Sequence, residues 1–469
     1  MKKIQTLIYI LLLTSFSADV VAQTSVLTLE DCINKALEYN KSLSAAKLKM
    51  EQTKQDMKSY QANFYPQINL MALDFYSTAK GNATISGGHL PIYNYVESAG
   101  QYVPDVTQNA DGSYQLNQYA DFPTQTLKWK IKNVFTGGIS LMEPIYSGGK
   151  ITTAYNMSKL GVDMASENIR MTESEVIVKT CEAYYLAVKA KELGDVARSY
   201  KTLLEELKKN VEGAFRHGMS TRNDIMKVQV RLNEADLSIQ KADNGYRLAL
   251  MNLCHISGLP LNQSIDISTD ASDQITAASA DRAETGITTR PEYSILTNKT
   301  ELARQNVKLT KSDYLPNVAV GATYTYANGL ELAGKKMVDN GFVSVGVAVK
   351  VPLDLFGGGT HKIRSAKAAY QIAQIEQQDL NEQMQLELAQ CENLYDEAQT
   401  ELHLCEVSLD QAAENMRLSK QQYEVGFEPL ADYLETQALW QQCCSNLVNA
   451  RCQLQLAYVN LLKASGKLR

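Results

Sequence analysis

Residues 317–326, NVAVGATYTY, and 342–351, FVSVGVAVKV, each carry an apolar side chain at every second position. Val318, Val320, Ala322, Tyr324 and Tyr326 alternate with Ala319, Gly321, Thr323 and Thr325, while Val343, Val345, Val347, Val349 and Val351 alternate with Ser344, Gly346, Ala348 and Lys350. Successive side chains of a strand point to opposite faces, so a period of two predicts two half-buried strands of about ten residues. The chain then breaks at FGGGT (356–360), and Thr360 to Val425 is a run of 66 residues without Gly or Pro. At 1.5 Å per residue such a helix reaches roughly 100 Å. Met384, Leu388, Cys391, Tyr395, Ala398, Leu402, Cys405, Leu409, Ala412 and Met416 recur at 4,3 spacing, as do Tyr433, Thr436, Trp440, Cys443, Leu447, Ala450, Leu454, Ala457 and Leu461. Two such seams separated by Gly426 and Pro429 predict an antiparallel coiled-coil hairpin.

The same order is written once before. A shift of 208 residues aligns Pro144 with Pro352, Phe215 with Tyr423, Gly218 with Gly426, Asp224 with Asp432, Asn252 with Asn460, and Ser257-Gly258 with Ser465-Gly466. Upstream, FYPQI (64–68) matches YLPNV (314–318) at a shift of 250, which places an insertion of 42 residues in the first copy, within about 76–132. Each copy therefore reads helix, two strands, long helical hairpin. Thr28 and Asp31 make a capping box for a helix over Leu29–Tyr39, continued by a second pattern to about Asn63. Pro291 opens the counterpart, which runs to about Asp313. The first-copy strands are less regular, with Phe135, Ile139 and Leu141 set against Thr136, Gly138 and Ser140, and 67–76 is the weakest of the four. The chain divides into an export signal (1–22), a first repeat (23–262), an equatorial linker (263–289) and a second repeat (290–469).

Lys2 and Lys3, an apolar run from Ile4 to Phe16 and the small-residue site Val20-Val21-Ala22 have the form of an export signal. The run is too short to span a bilayer, and no later stretch reaches 18 apolar residues, so helical spans are not expected. Cys32 stands too far downstream to be a lipidated first residue. Without residues 1–22 the balance is 44 basic against 51 acidic, net −7, which argues against nucleic acid as a partner. None of the eight cysteines falls in a CxxC pair. Cys391, Cys405 and Cys443 occupy seam positions, where a thiol packs as a small apolar group, and Cys181 and Cys254 are expected to follow the same rule. No Met, His or Cys cluster marks a metal path.

Strands of about ten residues with one apolar face fit a membrane barrel. Four strands cannot close one, and open edges cannot face lipid, so several chains must share it. Two chains give about eight strands and a barrel filled by side chains, whereas three give about twelve and room for a pore. The valines then face lipid, and Ala319, Gly321, Thr323, Thr325, Ser344 and Gly346 line the lumen. A soluble sandwich edge would leave the export signal and the valine faces without a purpose. The insertion carries Tyr93, Tyr95, Tyr102, Tyr114 and Tyr119 between two strands, opposite the helices. It reads as an extracellular loop, either plain polar loop or receptor surface.

The ordered set LTLEDCINKALEYN (27–40), YP before a strand, PIYSGG (144–149) or PLDLFGGG (352–359), FRHG (215–218) or YEVG (423–426) with Asp six residues on, and NLCHISGLP (252–260) or NLLKASG (460–466) resembles the TolC-like outer-membrane factors over nearly all of the mature chain. That resemblance implies a mainly α fold with a small β part. It implies a homotrimer whose 12-stranded outer-membrane β-barrel continues as a periplasmic α-barrel, docked on a periplasmic adaptor (a membrane fusion protein) and an inner-membrane pump. It implies passive conduction of small molecules, with neither catalysis nor cofactor. Asp432 and Glu435, three apart on one helical face, would be the carboxylates that constrict the closed entrance and attract cations. Without the resemblance they serve equally as acids complementing a helix dipole. Tyr423 and Asp224 match a latch that holds the hairpins shut. A second latch uses Arg where this chain has Glu428, so that link is missing. Phe215, Gly218, Tyr423 and Gly426 match the tip grooves where adaptors dock. The first copy carries Arg222, Asp224 and Lys227 at its own turn, which makes the second hairpin the expected moving gate. A protein or peptide secretion duct, and a periplasmic coiled-coil scaffold without a pore, are the competing readings.

Overall fold

The computed structural model describes residues 25–263, 265–268 and 286–468; the export signal and most of the expected linker lie outside them. Helix α1 (Leu29–Tyr39) starts where expected, with Asp31 N–H donating to Thr28 Oγ1 at 3.2 Å and Thr28 N–H donating to Asp31 Oδ2 at 3.2 Å. Across Asn40 it continues as α2 (Lys41–Ala62). Helix α3 (Lys150–Arg216) has 67 residues and α4 (Arg222–Ile256) has 35. The second copy repeats these lengths: α5 (Pro291–Ser312) is followed by α6 (Gly358–Glu424), again 67 residues, and α7 (Leu430–Ala464), again 35. Every seam residue predicted on α6 and α7 is buried or half-buried, with Met384, Ala398, Ala412, Tyr433, Leu447 and Ala450 buried outright.

Two compact units each draw on both copies. The helical unit takes residues up to Lys58, Asn156–Val307 and Arg364 onward; the sheet unit takes Ser59–Tyr155 and Lys308–Ile363. In the helical unit, β1 (Ser25–Leu27) pairs in parallel with β11 (Ile265–Ile267). Around this pair Leu27, Leu29, Cys32, Cys181, Tyr184, Leu253, Cys254 and Ile267 form one core. Strand β11 lies inside the stretch expected as linker, because three residues are too few to show a period. Lys191 Nζ reaches Asp266 Oδ1 at 2.8 Å and fastens this strand to α3. All eight cysteines are free. Burial pushes the Cys32 and Cys181 thiols up to about 12, so they stay protonated and serve as packing groups.

The sheet unit is an antiparallel sheet of β2 (Gln67–Tyr76), β10 (Gln125–Tyr146), β12 (Asn317–Leu332) and β13 (Lys335–Lys350) in the order β13-β12-β10-β2. Each copy supplies one hairpin, and the two join through β10 and β12. The weakly patterned β2 pairs along all ten of its residues with β10. Strands β12 and β13 are 16 residues long, beyond the ten predicted, because the hairpin runs on to a two-residue turn. That turn is Ala333-Gly334, with φ of 51° and 81°, the double left-handed geometry whose twist suits antiparallel strands. The insertion is built of strand pairs. Strand β3 (Lys80–Ile85) pairs with β10; β4 (Gly88–Pro91) pairs with β9 (Tyr119–Phe122), β5 (Tyr93–Val96) with β6 (Gln101–Pro104), and β7 (Val106–Gln108) with β8 (Tyr114–Leu116).

Register assigns the faces. Leu70, Ile139, Tyr324 and Val343 form one row across the sheet, and Ile68, Leu141, Ala322 and Val345 form the next row on that face. The opposite face carries Asn69, Ser140, Thr323 and Ser344 in a row. Charges interrupt the apolar face only towards its ends, with Glu143 at one and Asp74 and Asp339 at the other. This face is open: Leu70 is 84% exposed and Val345 74%. A soluble chain seldom exposes so continuous an apolar surface.

One glycine locks the helical unit. Gly258 has φ +70°, and a Cβ there would stand 2.5 Å from Tyr39 Cβ and 2.9 Å from the Tyr39 carbonyl oxygen. Asn40 Nδ2 donates to the Ile256 carbonyl at 3.0 Å beside it. We predict that Gly258→Ala destabilises the fold by about 2 kcal/mol or more, from left-handed strain plus a backbone clash. Gly426→Ala, where the new Cβ meets open space, bears only the strain. Thermal unfolding followed at 222 nm should rank them in that order.

Candidate functional site

The two helical hairpins end in tips of the same construction. Gly218 (φ 76°) donates its N–H to the Phe215 carbonyl at 3.0 Å, and Gly426 (φ 83°) donates to the Tyr423 carbonyl at 3.0 Å. Left-handed φ is why glycine stands at both turns. The capping differs. At the first tip Thr221 caps α4: Asp224 N–H donates to Thr221 Oγ1 at 3.2 Å, and Asp224 Oδ2 accepts from Thr221 N–H at 3.1 Å and from Thr221 Oγ1 at 2.7 Å. Lys227 Nζ lies 3.3 Å from Asp224 Oδ1. The hydrogen bond from Thr221 holds the Asp224 carboxyl below the usual carboxylate range. At the second tip Pro429 is the N-cap residue and offers no side-chain bond. There Ser419 Oγ donates to Glu428 Oε1 at 2.6 Å, tying the turn back to α6.

One core joins the tips. Tyr200, Leu204, Leu207 and Val211 of α3 and Val228, Leu232 and Ala235 of α4 cluster with Leu430, Tyr433 and Leu434 of α7. Tyr423 and Ile225 pack against this cluster, and Tyr423 stacks on Tyr433 with ring centroids 5.1 Å apart at 18°. The tyrosine side chain of the expected latch is therefore held at the junction of the two hairpins. Burial first, and the Asp224 charge second, raise the Tyr423 hydroxyl above its ordinary value. The carboxylate hydrogen bonds of Asp224 run to Ser220, Thr221 and Lys227. Asp224 and Tyr423 are thus neighbours in charge, with Asp224 anchored in its own turn.

Asp432 and Glu435 are both exposed, and among the described residues neither makes an ion pair. Phe215, Met219 and Phe427 are exposed beside the turns. The link between Glu428 and Ser419, nine positions apart, and the Tyr433 stack escaped the sequence reading: heptad position shows that a residue is buried, without naming its partner. The exposed Met219 and Phe427 were visible in the sequence as apolar residues flanking a turn glycine. Among the described residues no helix is long and apolar enough to cross a membrane, and no group of three or more His, Cys, Asp or Glu is placed to hold a metal ion.

A family model described as "Outer membrane efflux protein" matches residues 32–259 and 298–467, most of the chain. The chain belongs to the outer membrane efflux protein family. It is accordingly an outer-membrane transport protein and not an enzyme. Within this family it is similar to the alkaline protease secretion protein AprF of Pseudomonas aeruginosa, 25% identical over 292 residues, 60% of this chain and 56% of AprF. The alignment thus spans little more than half of AprF's length. The outer membrane protein TolC of Vibrio cholerae is 20% identical over 373 residues, 77% of this chain and 82% of that protein. Among solved structures, the CmeC outer membrane channel of Campylobacter jejuni superposes with a TM-score of 0.71 at 17% identity, covering 97% of this chain and 91% of that one. At that identity the likeness is one of fold.

The cap of the first tip yields a prediction. Asp224 has a folded pKa below its unfolded value of about 3.9, so its stabilisation is complete above that pH and is lost as pH falls through the folded value. Asp224→Asn should flatten the acid side of the stability profile relative to the parent. Thr221→Ala should cost about 1 kcal/mol. Denaturant midpoints of the detergent-solubilised protein between neutral and acid pH check both.

Proposed function

We propose that three copies of this chain form the outer-membrane exit duct of a tripartite export system, conducting cargo passively from an inner-membrane pump and its periplasmic adaptor to the outside. The observation that carries this reading is the path of four long strands, β13-β12-β10-β2, which among the described residues ends in two unpaired edges, with the short β3 continuing the β2 side of β10. Strands β2, β10, β12 and β13 alternate in direction, so the outer edge of β13 on one copy can pair antiparallel with the outer edge of β2 on the next. Repeating that step three times gives about twelve strands, enough for an aqueous lumen. The apolar face then meets lipid and the Asn69, Ser140, Thr323 and Ser344 row lines the pore. Helices α3, α4 and α6 leave Leu186, Leu248, Ile375, Leu386 and Leu404 exposed, which suits helices that acquire neighbours from adjacent copies. Membership of the efflux family supports the assembly as a periplasmic helical barrel below a 12-stranded one. In this arrangement the repeats of residues 23–262 and 290–469 alternate around the axis, and the insertion of about 76–132 is the extracellular loop.

The gate assigned here is the second hairpin. Asp432 and Glu435, exposed and without ionic partners among the described residues, would form rings of carboxylates at the tips, where three copies of each concentrate negative potential for cations. Opening would swing α6 and α7 away from the first hairpin. That motion must separate Tyr423, Leu430, Tyr433 and Leu434 from the α3 and α4 side of their common core. The Tyr423 and Asp224 neighbourhood, together with this core, is the latch. Glu428, bonded within its own hairpin, contributes to the shape of the turn. The exposed Phe215, Met219 and Phe427 and the glycine turns would present the adaptor-docking surface. Similarity to AprF, whose name states alkaline protease secretion, favours a second reading in which the cargo is a protein. Neighbouring genes for an ATP-driven transporter would support it, and a proton-driven pump would support small-molecule efflux.

In planar bilayers we expect cation-preferring single channels that multivalent cations block from the tip side. Asp432→Ala combined with Glu435→Ala should weaken that block by about tenfold or more, since each ring loses its charge. Undiminished block would remove these residues from the gate.

A further inference from the structure

We propose that the loop after β13 is a lipid anchor: Leu353, Leu355 and Phe356 enter the acyl chains of the phospholipid leaflet at the end of the sheet where β13 finishes. The proposal rests on the outer-membrane reading above and adds a site to it. Leu353 is 76% exposed, Leu355 77% and Phe356 97%. Single exposed apolar residues are ordinary, but three within four positions form a patch. Leu353 lies in the short stretch that leaves the end of β13, and Leu355 and Phe356 stand in the turn before α6, so all three sit at the rim of the sheet. The one charge in the loop is turned back: Asp354 Oδ2 accepts from the Thr360 N–H at 3.1 Å, at the start of α6. What remains at the loop surface is apolar.

The other strands mark the same level. Because the sheet is antiparallel, β2 and β12 begin at the end where β10 and β13 finish. Tyr65 before β2, Tyr146 closing β10 and Leu315 before β12 are all exposed there. Aromatic and large apolar side chains at the rim of a spanning sheet are what a bilayer interface selects. The second copy carries the fuller anchor. At the repeat shift of 208, Leu353 stands opposite Ile145, which is also exposed, but Leu355 and Phe356 stand opposite Ser147 and Gly148, so the first-copy loop lacks the outer pair.

Tryptophan depth quenching tests this on the full chain reconstituted in phospholipid vesicles. Phe356→Trp is compared with Val345→Trp in the middle of the apolar face, each as a difference from the parent, which carries Trp129 and Trp440. We expect shallow-brominated lipids to reduce the Phe356→Trp signal about twofold, deep-brominated lipids to act more strongly on Val345→Trp, and acrylamide to quench neither. If Val345→Trp is quenched by bromolipid and Phe356→Trp is not, the loop lies in water or against a second copy and the anchor is wrong, while the membrane sheet stands. Acrylamide separates those two outcomes, since it reaches only the aqueous loop. If neither tryptophan meets bromolipid, the membrane reading fails and the anchor with it. Should Phe356→Trp fail to assemble, Leu355→Trp replaces it with the same expectations.

Discussion

A strand edge left open in hydrocarbon exposes a row of N–H and C=O groups, each costing several kcal/mol without a partner. Strands β2 and β13 are such edges in the single chain, and they border a face carrying Ile68, Leu70, Val343 and Val345 that water does not favour. The two demands have one common solution, closure of the sheet through other copies. The rest of the architecture follows from it. The four long strands of the sheet are even in number and alternate in direction, so copies can be added without a parallel mismatch. The small and hydroxyl residues on the inner face allow a lumen. The helices carry a second, unfilled apolar surface, as expected of elements that find neighbours only in an assembly.

Duplication supplies the material for that closure and also for the proposed gate. Both copies have a 67-residue helix and a 35-residue helix meeting at a left-handed glycine. They differ at the tips. The first is fixed by a capping box in which Thr221 and Asp224 satisfy each other's backbone N–H. The second begins α7 at Pro429 without a side-chain cap and relies on Ser419 and Glu428 instead. A tip with fewer local ties is better suited to move, and it is the one carrying Asp432 and Glu435.

The fold was legible in the sequence wherever a period could accumulate. Seam residues such as Met384 and Leu447, the valines of β13, the capping box at Thr28 and the helix-opening Pro291 each placed an element within a few residues. What stayed hidden was short or tertiary. Strand β11 has three residues, and the hairpin pairs of the insertion have three to six, too few for alternation to stand out. The continuation of β12 and β13 to Ala333-Gly334 depends on backbone pairing beyond the apolar band. At the tips the sequence singled out Tyr423, Asp224, Asp432 and Glu435, but the stack of Tyr423 on Tyr433 and the core joining α3, α4 and α7 depend on how two hairpins meet. No spacing within one hairpin encodes that.

The claim on which everything else depends is that three chains close one sheet. Native mass measurement of the protein extracted in mild detergent tests it directly, since the edges must be paired whenever the barrel is intact. The account predicts a single species containing three copies, which strong denaturant returns to one. A stable monomer or dimer that retains its strand content would contradict it.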